Sequence, residues 1–276
     1  MKKVIFTGCS FTAGNGWANI PAEKSSQIQC KNYPGLWVNL CHTRLPELSH
    51  LELVNLGVGG ASNTEIFENT VQAISEHANN IDTIFCQWTS MPRYKFSAGL
   101  ELWVTGESIE AGGRSNEDVH LSDGTVWTRK YLDDLLNRLN VLHHLHGEIL
   151  KVVKYTNILQ ALAFNHNIKI YFINGSCPWD QNYFVQLNAF LPQDLTPFTK
   201  TAILNIESRS DKDIFELYKI IHNDYACKGG IDPASWVNLY SPMSKNKLDT
   251  NYDNQHPGVK SNQLYFQQVK NFLEAQ

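Results

Sequence analysis

The chain has 276 residues, 42 % of them hydrophobic, with a net charge of -4 at neutral pH. That is length enough for one large domain or two small ones, with ample apolar material for a packed core. The small acidic balance, spread without a basic block, argues against nucleic acid as a partner. No apolar run reaches the roughly 18 residues of a membrane span, so no membrane partner is expected.

The opening Met1-Lys2-Lys3-Val4-Ile5-Phe6 has the charge of a signal peptide, but its apolar part stops at Thr7-Gly8. It reads instead as a first strand over residues 3–7, in a protein expected to be cytoplasmic. Residues 34–45 set Leu36, Trp37, Leu40 and Cys41 at helical spacing after Pro34. A second strand is expected over 51–56, ending at Gly57. A helix follows over 62–78, opened by Ser62-Asn63-Thr64-Glu65, with Ser62 as cap and Glu65 three positions on. Residues 82–88 form a third strand. Residues 97–128 are rich in Gly, Ser, Glu and Asp, with a turn signal at Ser122-Asp123-Gly124-Thr125, and read as an inserted hairpin. Residues 129–165 read as helix with a break at Gly147. Residues 168–174 give a fourth strand, ending at Gly175. Residues 176–210, with Pro178, Pro192 and Pro197, form a second irregular insertion, and helices are expected over 211–226 and 258–274.

Short β-branched runs alternating with helices imply a parallel sheet with right-handed crossovers. The expected fold is a three-layer α/β/α sandwich, a flavodoxin-like parallel sheet of four or five strands. It forms a single domain over 1–276, with insertions at about 97–128 and 176–210. The six cysteines are scattered and form no CxxC pair, so they are expected as free thiols.

In such a sheet the loops after the strand ends line the ligand crevice. The first of them carries Gly8-Cys9-Ser10-Phe11-Thr12, the second Asn55 to Asn63, the third Trp88 to Arg93. Near the far end of the chain stands Asp253-Asn254-Gln255-His256-Pro257. A serine, a histidine and a carboxylate are the three groups that nucleophilic hydrolysis needs. Serine is a weak nucleophile until an imidazole takes its proton, and the imidazole needs a carboxylate to hold its tautomer. Each group also has a plainer reading. Ser10 suits a helix cap or turn, and His256 a surface or capping position. Gly57-Val58-Gly59-Gly60 suits a strand-to-helix turn as well as an oxyanion donor. Cys9 is a rival nucleophile, but alternation along extended backbone turns it away from Ser10 and into the core. The Gly loop lacks the GxGxxG pattern, and the GxSxG elbow of α/β-hydrolases is missing.

Taken together, Gly8-Cys9-Ser10-Phe11-Thr12, Asn55 to Ser62 and Asp253 to Pro257 resemble the first, second and last blocks of the SGNH (GDSL-like) hydrolase family. That resemblance implies Ser10 as nucleophile, His256 as base, Asp253 as its orienting acid, and the backbone N–H groups of Ser10 and Gly60 as oxyanion donors. It implies a serine esterase with neither metal nor organic cofactor. Its substrate is a small-molecule or carbohydrate ester, and within the family an O-acetyl group on a carbohydrate suits the polar, aromatic-bearing insertion. The chain departs from the family in the third block. Where Gly-x-Asn-Asp is expected stands Gln87-Trp88-Thr89-Ser90-Met91-Pro92-Arg93, so Thr89, Ser90, Arg93, or Asn63 from the second loop, are the substitutes on offer. The alternatives are a non-catalytic glycan- or peptide-binding module on the same fold, and a phosphate- or nucleotide-binding protein using the Gly57–Gly60 loop. His143, His144, His146 and Glu148 read as a solvated helix face rather than a metal site, since only His143 and His146 share a helical face.

Overall fold

The computed structural model describes residues 1–17, 29–89, 94–95, 101–105, 108–111, 119–120, 126–128, 130, 145–175, 233–238, 242–244 and 246–276. In chain order the elements are β1 (Lys3–Thr7), the single-turn helix α1 (Ser10–Ala13), α2 (Trp37–Arg44), α3 (Pro46–Ser49), β2 (Glu52–Asn55), α4 (Asn63–His77) and β3 (Ile81–Trp88). Then come the short strands β4 (Tyr94–Lys95), β5 (Glu101–Thr105), β6 (Ser108–Ala111), β7 (Val119–His120) and β8 (Val126–Trp127). The chain closes with α5 (Leu145–Asn165), β9 (Lys169–Asn174) and α6 (Val259–Glu274).

Four strands form one parallel sheet in the order β2-β1-β3-β9. Phe6 pairs with Asn55 on one side and Phe85 on the other, and Cys86 pairs with Phe172. All four carboxyl ends therefore open on the same edge. The sheet is covered on both faces, and the two-residue period of the strands divides its side chains between them. Ile5, Ile84, Cys86, Trp88, Ile170 and Phe172 pack with Ile66, Ala73 and Ile74 of α4 and Val152, Leu159 and Ala163 of α5. Val4, Phe6, Phe85 and Ile173 pack with Trp37, Val38 and Cys41 of α2 and Tyr265 and Val269 of α6. This is the expected three-layer α/β/α sandwich, with the four core strands each within a residue or so of their expected bounds.

The fourth expectation, a helix opened by Ser62, holds in its local chemistry: the Ser62 hydroxyl accepts the Glu65 N–H at 3.2 Å. Two deviations have physical causes. Helix α5 runs through Gly147 rather than breaking there, because one glycine costs only about 1 kcal/mol of helix propensity and the apolar residues further along dock against the sheet. The irregular stretch before it holds two antiparallel units, β4-β5-β6 and β7-β8, rather than one hairpin. The expected helix over 211–226 and the insertion over 176–210 lie outside the described residues, as do His143 and His144. No helix among the described residues is long and apolar enough to cross a membrane. Cys9, Cys30, Cys41 and Cys86 are free thiols. Burial pushes the Cys86 thiol up to about 12.

An aromatic column joins the α2/α6 layer to the turn that carries Ser10. Phe6 stacks on Phe85 at 4.9 Å and meets Trp37 edge-on at 5.3 Å. The Trp37 indole N–H donates to the carbonyl of Phe11 at 3.2 Å, and its backbone N–H to Asn262 Oδ1 at 2.9 Å. One buried residue thus ties the sheet and α1 through its ring, and α6 through its backbone.

Candidate active site

Chain leaves β1 at Gly8, and Cys9 stands in extended conformation as the cap of α1. The turn closes through the Thr12 and Ala13 N–H groups on the Cys9 carbonyl, at 3.0 and 2.9 Å. It ends at Gly14 in the left-handed region, whose N–H reaches the Ser10 carbonyl at 3.0 Å. Ser10 is therefore the first helical residue, directly beyond the sheet edge. Cys9 is buried in the α4/α5 layer, as strand alternation requires. Ser10 is itself only 3 % exposed.

The second loop is stitched onto this turn. Asn55 Nδ2 donates to the Thr12 carbonyl at 2.8 Å while its Oδ1 accepts the Gly57 N–H at 2.9 Å, and the Val58 N–H reaches the Gly8 carbonyl at 3.0 Å. Gly57 must lack a side chain, since a Cβ there would lie 2.6 Å from the Ala13 nitrogen. Gly60 has φ +81°, a conformation that L side chains rarely adopt. Among the described residues, neither the Ser10 nor the Gly60 N–H donates to a backbone acceptor. Asn63, one of the substitutes offered for the absent third-block asparagine, is engaged elsewhere. Its Nδ2 donates to the Thr89 carbonyl at 3.1 Å and its Oδ1 accepts the Thr89 N–H at 2.8 Å. The pair locks the start of α4 to the end of β3. Thr89 is buried beside it; Ser90 and Arg93 lie outside the described residues.

Asp253 and His256 occupy a closed turn built on α6. Asp249 seals its base. Its carboxylate accepts the Lys260 and Ser261 N–H groups, at 2.9 and 2.8 Å, and the Ser261 hydroxyl, while its carbonyl accepts the Gly258 N–H at 3.0 Å. Asn262 holds the far side, donating to the Pro257 and Gly258 carbonyls. Within the turn, Asp253 Oδ1 accepts the Gln255 and His256 N–H groups at 3.0 and 2.9 Å, and Oδ2 pairs with His256 Nδ1. Burial on its own would raise the Asp253 carboxyl. The His256 side chain, the two backbone donors and the charge of His256 outweigh it and hold the group at about 2. With Nδ1 held by the carboxylate, Nε2 is the ring nitrogen left to exchange a proton.

The first and last blocks share a wall. The His256 ring meets the ring of Phe11, next to Ser10, edge-on at 6.2 Å. Gly16, with φ +84°, packs against Asp253 so closely that a Cβ would stand 2.6 Å from Oδ2. Gly16→Ala should therefore displace the carboxylate. The expected result is about 1–2 kcal/mol of strain from the left-handed backbone, read from urea unfolding against wild type.

Sequence reasoning missed three supports of this wall. Asn15 is buried with its amide against Gly59, Asn262 spans α2 and the His256 turn, and Gln87 lies beneath α1. Only Asn15 carried a sequence signal, the Asn-Gly turn pair.

No family model and no curated protein matches this chain. Among solved structures, it is similar to LAE5, an alpha/beta hydrolase enzyme from the metagenome of Lake Arreo, Spain, at 13 % identity and TM-score 0.44, over 99 % of this chain and 95 % of that one. It is also similar to the lipase/acylhydrolase from Enterococcus faecalis, at 13 % identity and TM-score 0.36, over 100 % of this chain and 96 % of that one. Likenesses at this level say nothing of activity, and the α/β/α architecture stands on the sheet order and the two helical layers.

Proposed function

We propose that this protein is a serine esterase of the SGNH (GDSL-like) kind. The observation that carries the proposal is the Asp253 carboxylate on His256 Nδ1, with the same imidazole against the ring of Phe11, the neighbour of Ser10. His256 Nε2 takes the proton of the Ser10 hydroxyl as Oγ attacks the acyl carbon. The Ser10 and Gly60 N–H groups receive the developing oxyanion. Collapse breaks the ester C–O bond, and the alcohol leaves with the proton from His256. Water, deprotonated by the same imidazole, then attacks the acyl-Ser10 ester and releases the acid.

The substrate class proposed is a short acyl ester, an O-acetyl group on a carbohydrate foremost. No asparagine follows β3, and one absent oxyanion donor costs about 10²–10³-fold in rate in other serine hydrolases, so turnover is expected to be slow. That same absence favours the second reading, a glycan- or peptide-binding module on this fold. A fluorophosphonate separates the two. A single covalent adduct mapped by mass spectrometry to Ser10 supports the esterase. An adduct on another residue, or none after prolonged exposure of folded protein, sinks it.

A further inference from the structure

Gln87 is the penultimate residue of β3 and is wholly buried. Its side chain lies under the turn that carries Ser10. The Thr12 hydroxyl donates to Oε1, and Nε2 donates to the Cys9 Sγ at 3.6 Å. A glycine stands on each side of the amide. A Cβ on Gly8 would lie 2.7 Å from Oε1, and one on Gly175 would lie 2.3 Å from Nε2. Two strand ends therefore give up their side chains to admit this one. A buried amide with an atom left unpaired is costly, and here each end has a partner, oxygen on the hydroxyl and nitrogen on the thiol. The other ties to α1 differ in kind. Asn55 and Trp37 bond only to backbone carbonyls of Thr12 and Phe11, from the sheet edge and from α2. Gln87 grips the side chains on either side of Ser10 from an inner strand.

We propose that Gln87 is a positioning residue for Ser10, acting through Thr12 and Cys9 to set the height and rotation of α1 over the sheet. The proposal rests on the esterase reading above. An inner strand thereby positions Ser10 through Cys9 and Thr12.

The test is a cycle of Gln87→Met, Thr12→Val and the double variant, with Thr12→Ser as the conservative control. Turnover of p-nitrophenyl acetate is measured per site titrated with fluorophosphonate. Each single variant is expected to lose about 10–100-fold in kcat with KM within about twofold, since small misplacements of a reacting group are that costly. The double variant should be no worse than the poorer single, because both remove the same Gln87–Thr12 contact. Thr12→Ser should stay within about threefold of wild type, as it keeps the hydroxyl. Hydrogen exchange at the amides of residues 12–15 should quicken in both singles and not in Thr12→Ser. Wild-type kcat per titrated site, additive losses in the double, or a change confined to KM would each overturn the proposal. Should Gln87→Met fail to fold, the Thr12→Val and Thr12→Ser pair decides alone. If Ser10→Ala turns over like wild type, the esterase reading fails and takes the catalytic claim with it, while exchange rates still report whether the clamp holds α1.

Discussion

Ser10→Ala is expected to bring ester hydrolysis down by about 10⁴-fold or more, to a level indistinguishable from catalysis by the surrounding dipoles alone. Cys9 is the nearest rival, but it is buried in the α4/α5 layer and serves as acceptor for Gln87. A thiol so enclosed serves as a packing group. The substitution should leave the fold intact, because the closing bonds of α1 run through the Cys9 and Ser10 carbonyls rather than the hydroxyl. The measurement is p-nitrophenyl acetate turnover with a matched unfolding curve. Equal turnover in the two proteins at equal stability would refute the assignment.

Asp253→Asn should cost about as much, near 10⁴-fold in kcat by analogy with the same change in other triads. The carboxylate accepts three donors: the Gln255 N–H, the His256 N–H and the His256 ring. An asparagine keeps one oxygen for the two backbone amides. Its NH₂ then faces Nδ1 and forces the ring proton onto Nε2, where it can no longer accept from Ser10. The same variant also has a pH signature. Asp253 is held at about 2 in the folded protein against an ordinary value of 3.8. A depressed carboxylate contributes stability that is complete above the unfolded value and is lost as pH falls through the folded one. Wild type should therefore lose stability between about pH 4 and pH 2 more steeply than Asp253→Asn. Asp249, also held low once its bonds to Ser261 and Lys260 outweigh its burial, is common to both proteins and drops out of the difference. Parallel stability curves across that window would contradict the assignment.

What could be read from the chain alone follows a physical division. Strand positions were legible because short apolar runs ending at glycine, such as Val4-Ile5-Phe6 before Gly8, admit few other readings. The start of α4 was legible because Ser62 and Glu65 interact within one turn. The Asp253/His256 pairing is local too, three positions apart, and so its chemistry could be foreseen from spacing. Bonds between distant segments could not. Nothing in the sequence marks Asn262 as the partner of Trp37, or Gln87 as the partner of Thr12. Asn63 shows the same limit from the other side: as an amide near the crevice it looked like a spare donor, and folding ties it to the Thr89 backbone instead. The Gly16–Asp253 contact belongs to this class as well, since a missing Cβ has no meaning until its neighbour is known.

The wall shared by Phe11 and His256 has a temporal consequence during synthesis. About 250 residues of chain separate the two, so at about 5–20 residues per second a ribosome completes the imidazole turn tens of seconds after the serine turn has emerged. For that interval β1, β2 and β3 can pair while Ser10 lacks the imidazole that the proposed triad requires. The proposed activity should switch on only with the docking of α6, a late, long-range step of the kind that slows folding.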